Sequence, residues 1–159
     1  MLVRRPYSIA ELRRALVKKF GATATVSNAV SRLRQLGYLD DKKFAELYAS
    51  SLARNRTFGR YRIRRELKAK LVNYRHIEPA LARAFEETNE LESLEQALAK
   101  KIRGLRLPVT TSKLHSLCQG LMRKGFRSDD IIKAVRSRPE LKPVANDVDL
   151  SEIESLKNE

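Results

Sequence analysis

The chain has 159 residues, and its 33 lysines and arginines against 19 acidic residues give a formal net charge of +14 and a pI near 10.3. Such a basic chain is typical of proteins that bind a polyanionic partner. Nucleic acid is the first candidate for this partner, and an acidic protein surface or an anionic membrane is the next. Because it has no apolar run of roughly 18 residues, no signal-peptide core and a single cysteine, the sequence predicts a cytoplasmic protein without membrane spans or a disulfide framework.

Apolar residues at helical spacing predict eight helices, and no strand pattern is sustained. The first helix begins at a capping box, Ser8-Ile9-Ala10-Glu11, in which the two side chains bond each other's backbone amides, and it ends near Phe20-Gly21. The second helix is predicted to end at Gly37, and the next three to span residues 41–54, 60–72 and 76–87. The sixth helix spans 90–103 with Asn89 as its cap, and the seventh runs from a Ser112 cap to residue 124. The eighth helix begins at Ser128.

The segment from Leu36 to Ala45 predicts a tight passage from one helix to the next. Gly37 suits the left-handed conformation that ends a helix. Asp40 and Asp41 are good N-caps, and their charge also favours the positive end of the following helix. We interpret the segment as structural and expect no catalysis in it. Its other residues are an apolar hinge and the start of the next apolar stripe: Tyr38, Leu39, Phe44, Leu47 and Tyr48.

The apolar pattern of the first two helices recurs twice along the chain. Each copy has positions at offsets 0, 4, 8, 14, 18 and 21, and only Gly125 and Arg138 of the third copy are not apolar. The alternative is three chance amphipathic helix pairs, but the matched offsets favour a repeated unit of three helices whose first copy lacks its first helix. The copies are Leu12, Leu16, Phe20, Val26, Val30 and Leu33; Ile63, Leu67, Leu71, Ile77, Leu81 and Ala84; Leu117, Leu121, Gly125, Ile131, Val135 and Arg138.

This repeat predicts four segments. Residues 1–37 form a first repeat of two helices, residues 38–88 and 89–139 form complete repeats, and residues 140–159 form a flexible tail. The tail has six acidic residues and two lysines, so the positive charge is concentrated in residues 1–139.

A strongly basic stretch lies in the middle of the chain. Helical geometry points Tyr61, Arg62 and Arg65 away from the apolar stripe of their helix. A solvated helix face is the alternative, but the nearly uniform sign and the preference for arginine favour binding to phosphate or carboxylate groups. The candidate binding residues are Arg54, Arg56, Arg60, Arg62, Arg64, Arg65 and Lys68. Smaller basic groups that repeats could align into a track are Arg13, Arg14, Lys18 and Lys19; Lys100, Lys101, Arg103 and Arg106; and Arg123, Lys124 and Arg127.

Catalytic and metal-binding patterns are weak. His115 and Cys118 lie three residues apart on one helix, but two ligands are too few for a metal, and a buried thiol is favoured for Cys118. No glycine-rich phosphate loop and no Ser/His/Asp set with usable spacing occurs in the sequence. The sequence therefore predicts a protein that is not an enzyme and holds neither metal nor cofactor.

The Leu36–Ala45 segment also carries a family resemblance. Gly37-Tyr38-Leu39-Asp40-Asp41, followed after two residues by Phe44-Ala45, is similar to the signature of the RecX family of bacterial recombination regulators. The chain departs from the family in its short N-terminus and in Leu71, where a glycine is frequent, which predicts a looser or shifted turn. Further matching positions run from Ser8 to Arg138: Ser8, Glu11-Leu12, Leu16, Arg54, Gly59, Arg62-Ile63 and Glu66-Leu67.

The resemblance implies tandem three-helix repeats and a protein that lodges in the groove of RecA filaments on DNA and restrains the recombinase. It also implies a role in homologous recombination, DNA repair and the SOS response. We therefore expect an all-α, elongated and curved array that acts as a monomer and contacts single- or double-stranded DNA through phosphates.

Two alternatives from other classes stay open. The first is a general DNA- or RNA-binding helical protein that contacts phosphates without a recombinase partner, although no helix shows the Asn, Gln and Arg face typical of base readout. The second is a structural adaptor that binds an acidic protein. Affinity for naked DNA separates the adaptor from the other two.

Overall fold

The computed structural model describes residues 5–141, and this part of the chain contains eight α-helices, one short 3-10 helix and no strand. The prediction of an all-α fold is confirmed. The helices are α1 (Ile9–Phe20), α2 (Ala24–Gln35), α3 (Asp41–Arg56), α4 (Arg60–Ala69), α5 (Tyr74–Glu87), α6 (Glu90–Ile102), α7 (Thr111–Arg123) and α8 (Ser128–Arg136), and the 3-10 helix is Pro139–Leu141.

The start of α1 is capped on one side as predicted. The Ser8 hydroxyl accepts the Glu11 amide at 3.1 Å and donates to the Lys70 carbonyl. The reciprocal half of the capping box was predicted wrongly, because the Glu11 carboxylate accepts hydrogen bonds from Arg5 at 3.1 Å and from Lys70 at 3.0 Å. The Glu11 carboxylate is therefore bound by two cations instead of by the Ser8 backbone amide, which is its partner in a capping box.

The caps of the later helices agree with the sequence only in part. Asn89 caps α6 as predicted, since its side chain accepts the Leu91 amide at 2.9 Å. Ser112 was wrongly predicted to cap α7, because the helix begins at Thr111 and the cap position belongs to Thr110. Ser128 is the first residue of α8, as the sequence indicated.

The turn after α4 is closed in the ordinary way despite its leucine. Leu71 has a φ of 58°, and its amide donates to the Lys68 carbonyl at 2.9 Å. The Val72 amide donates to the Leu67 carbonyl at 3.1 Å, which completes a Schellman motif. The expected looser or shifted turn is not found, because leucine here adopts the left-handed conformation that Gly125 adopts after α7.

The chain divides into two compact units. Unit 1 comprises Met1–Leu52 and Ile63–Glu87, and unit 2 comprises Ala53–Arg62 and Thr88–Glu159. The division falls within α3 and within α4, so the segment 53–62 that joins these helices belongs to the unit made mainly of the later chain.

Unit 1 buries most of the apolar positions that the repeat predicted. Leu12, Val26 and Val30 of the first copy are buried, as are Ile63, Leu67, Ile77, Leu81 and Ala84 of the second. Phe20 was wrongly expected inside; it is the last residue of α1 and is 59% exposed. Leu47 was also misplaced, at 74% exposure, because α3 turns Ala45 and Ala49 inward.

The core described in unit 2 is built from α6, α7, α8 and the 3-10 helix, together with Val109 and Phe126 from the segments between helices. Its centre includes the repeat positions Leu117, Leu121, Ile131 and Val135 and the thiol of Cys118, which confirms the buried cysteine. Leu141 is 1% exposed, so the packed chain reaches at least this residue although the tail was expected to start at 140. The rest of that predicted tail, residues 142–159, lies outside the described residues.

Candidate nucleic-acid interface

Arg60 and Arg64, two of the predicted binding residues, form ion pairs within the protein. The Arg64 guanidinium forms a two-pronged contact with the Glu78 carboxylate at 2.7 and 2.8 Å. The Arg60 Nε lies 3.5 Å from Oε2 of Glu90. Both acidic partners belong to other helices, 14 and 30 residues away in sequence, so a reading of the local charge could not identify them. Each of these two arginines therefore links two helices of the protein.

The amide groups at the start of α4 are also occupied by the protein itself. The Gly59 amide donates to the Lys124 carbonyl at 2.9 Å, and the Tyr61 amide donates to the Gly125 carbonyl at 3.1 Å. Between them, the Arg60 amide donates to the Glu90 carboxylate at 2.7 Å. A helix N-terminus often binds an anion through such amides, but here all three are bonded within unit 2.

Arg62 is held against the turn that follows α7. A Cβ atom on Gly125 would lie 2.2 Å from the Arg62 backbone nitrogen and 2.5 Å from its Cβ, so only glycine fits at this approach. The Arg62 guanidinium lies over the Phe58 ring, 5.4 Å from its centroid. The residue is half-buried, which differs from the expectation that it points freely outward.

The remaining predicted residues are exposed. Arg54 and Arg56 lie in the last turns of α3 within unit 2, and Arg65 and Lys68 lie on the part of α4 within unit 1. Within residues 5–141, the side chains of Arg65 and Lys68 form no hydrogen bond or ion pair. Of the α4 cations, these two are therefore the best placed to meet an external anion.

The signature residues form a structural corner of unit 1. Asp40 caps α3, because its carboxylate accepts the amides of Lys42 at 2.9 Å and Lys43 at 3.1 Å. Asp41 accepts the Ile9 amide at 2.8 Å and so caps α1, although it was predicted to cap its own helix. Gly37 has a φ of 76° at the end of α2. The apolar members of the signature divide by burial: Leu39 and Phe44 are buried, and Tyr38 is exposed.

Cys118 and His115 are the two residues that the sequence analysis considered as metal ligands. Burial raises the pKa of the Cys118 thiol, which keeps it protonated at neutral pH. His115 Nε2 lies 2.9 Å from the Gln119 amide nitrogen. In the described part of the chain, no three His, Cys, Asp or Glu side chains are grouped to hold a metal ion, and no helix is long and apolar enough to cross a membrane.

Comparison with known proteins identifies the relatives of this chain. The family model described as "RecX, second three-helix domain" matches residues 40–81. The regulatory protein RecX of Trichlorobacter lovleyi is 31% identical over 130 residues, which cover 81% of this chain and 84% of that protein. The regulatory protein RecX of Chlorobaculum tepidum is also 31% identical, over 137 residues that cover 86% and 82% of the two chains.

A solved structure agrees with the helical fold. The crystal structure of RecX from Lactobacillus salivarius superposes with a TM-score of 0.70 at 20% identity, and the match covers 86% of this chain and 88% of that one. The relatives at 31% identity match most of their own length, and the signature and the helical architecture point the same way. The chain thus belongs to the RecX family of regulatory proteins.

Proposed function

We propose that this protein regulates homologous recombination by binding RecA filaments on DNA. In this proposal, a monomer occupies the filament groove and restrains the recombinase during DNA repair and the SOS response in the cytoplasm. Family membership supports the regulatory role, and the basic composition supports a polyanionic partner.

The observation that carries the proposal is the pair of exposed cations on α4. Arg64 is paired with Glu78, whereas Arg65 and Lys68 have no partner within residues 5–141. Exposed cations of this kind attract phosphates or carboxylates without forming a covalent bond, so the regulation would act by occupation of a surface.

The test is strand exchange or DNA-dependent ATP hydrolysis by RecA with increasing amounts of this protein. The variant Arg65→Glu/Lys68→Glu reverses two exposed charges, and we expect it to inhibit less than the parent. Arg62 is left unchanged, because its guanidinium lies over the Phe58 ring and its replacement would remove that contact. The matched control is Lys42→Glu/Lys43→Glu, which changes the net charge equally at two exposed positions of α3 outside the basic groups named above.

Three outcomes are informative. Inhibition by the parent and the control, but not by the α4 variant, supports the proposal. Equal inhibition by all three proteins removes this face from the mechanism. No inhibition by any of them, with tight binding to naked DNA, would favour a general nucleic-acid-binding protein instead.

A further inference from the structure

Two of the smaller basic groups meet in unit 2. Lys101, near the end of α6, lies across Gly120 of α7, where an added Cβ would be 2.6 Å from the Lys101 ammonium nitrogen. One guanidinium nitrogen of Arg123 lies 4.0 Å from the same point. Lys100 and Lys101 are also close enough to act electrostatically on Lys124. The ends of α6 and α7 therefore bring four cations together.

These cations are not neutralised by the part of the chain that the structure describes. Within residues 5–141, none of the four side chains forms an ion pair with a carboxylate. A helix C-terminus favours positive charge, and this accounts for one or two cations on each helix. It does not account for two such helix ends placed side by side, where the four charges repel one another.

Lys124 is held in place at the centre of this arrangement. Its ammonium donates to the Thr57 hydroxyl at 3.0 Å and to the Arg56 carbonyl at 3.4 Å. Burial, and then the charges of Lys100 and Lys101, lower the pKa of this ammonium below its ordinary value. Both neutral partners leave the positive charge uncompensated, so a nearby anion would relieve the repulsion that the fold imposes.

We propose that Lys100, Lys101, Arg123 and Lys124 form a phosphate cluster that binds the backbone of a nucleic acid strand. A single carboxylate would compensate only one of the four charges, whereas a strand presents a phosphodiester at every nucleotide. Arg123 can bond two oxygens of one phosphate, and the lysines act as point charges. Contacts to phosphates carry no sequence information, so we expect binding without sequence preference.

The biological meaning of the phosphate cluster rests on the proposed function, since the strand would be that of the recombinase filament. Its test needs no recombinase. The full chain is titrated into a fluorescent oligothymidylate at several salt concentrations, beside a duplex of equal length and a polyglutamate peptide. The main variant is Lys100→Gln/Lys101→Gln, and the control is Lys113→Gln/Lys133→Gln, which removes two exposed lysines from the same unit.

We expect the main variant to flatten the log–log salt dependence, while the control keeps the parent slope. The slope should change by about 0.7 for each phosphate of a single strand that the variant no longer neutralises, or by about 0.9 for each phosphate of a duplex. The strand form that binds more tightly identifies the natural ligand. An unchanged salt slope in the main variant would refute the proposal that this cluster binds phosphates. Binding of polyglutamate that equals or exceeds binding of the oligonucleotide would instead assign the cluster to an acidic protein partner.

A second measurement follows Lys124 without any mutation. The pKa of its ammonium, monitored by nuclear magnetic resonance, should rise when the oligonucleotide binds, because a phosphate stabilises the protonated form. An unchanged value would exclude Lys124 from the site. If the cluster binds DNA and recombinase inhibition is absent, the proposed function fails alone; if inhibition persists and the salt slope is unchanged, only the cluster fails.

Discussion

Replacement of Gly125 by alanine tests the closest backbone approach in unit 2. The new Cβ would lie 2.2 Å from the Arg62 nitrogen and 2.8 Å from its Cα, and neither atom can move without displacing the start of α4. Overpacking of this kind costs roughly 1–3 kcal/mol. Alanine at a φ of 92° adds about 1 kcal/mol or more.

The displacement would also stretch two hydrogen bonds, those from the amides of Gly59 and Tyr61 to the carbonyls of Lys124 and Gly125. Each such bond contributes about 1 kcal/mol. Because the two bonds are stretched and not fully lost, we expect Gly125→Ala to lower the free energy of unfolding by roughly 2–6 kcal/mol. The measurement is urea denaturation followed by circular dichroism, in which the midpoint should fall at an unchanged m-value.

Gly37→Ala is the matched control. Gly37 occupies the same place in a Schellman turn, has a φ of 76°, and has no atom within 4 Å of an added Cβ. Gly37→Ala should lower the free energy of unfolding by about 1 kcal/mol, because it adds only the cost of alanine at a positive φ. If the two variants lose the same stability, the close approach of Gly125 to Arg62 is refuted.

Three further predictions concern stability. Leu67 is 0% exposed, so Leu67→Ala should cost roughly 2–5 kcal/mol in urea denaturation, and a loss near zero would show that the repeat register is wrong. Leu71→Gly should raise stability by about 0.5–1 kcal/mol because it relieves a leucine at a φ of 58°, and a fall in the urea midpoint would contradict this. Folding lowers the pKa of Lys124 from 10.5, so the unfolded chain binds this proton more tightly. Stability should therefore rise with pH between the folded value and 10.5, and Lys124→Met should abolish that part of the slope in pH-dependent thermal melts.

The repeat could be predicted because it depends on local spacing. At offsets 0, 14 and 18, all three copies are buried, as with Leu12, Ile63 and Leu117 at the first of these. The Asp40 cap and the Gly37 turn are equally local, since each acts within about four residues.

The remaining features depend on partners that are distant in sequence. The ion pair of Arg64 with Glu78 and the bond from the Ile9 amide to Asp41 join separate helices, so residue type alone did not indicate them. The exposure of Leu47 depends on which side of α3 the neighbouring helices cover, and the sequence shows only that alanines were available there. For the same reason, the sequence analysis placed Lys101 and Lys124 in separate basic groups, although the fold brings them close enough to interact electrostatically.

The contact between Gly59 and the turn at Gly125 has a consequence for synthesis on the ribosome. The Gly59 amide bonds to the Lys124 carbonyl, so the segment 53–62 cannot complete its hydrogen bonds until the chain has been made beyond residue 125. Every residue of unit 1 has been translated well before that point. Domains made first generally fold first, and at about 5–20 residues per second the wait lasts several seconds. A truncated chain that ends at residue 88 should therefore leave this joining segment exposed to proteases while unit 1 is already protected.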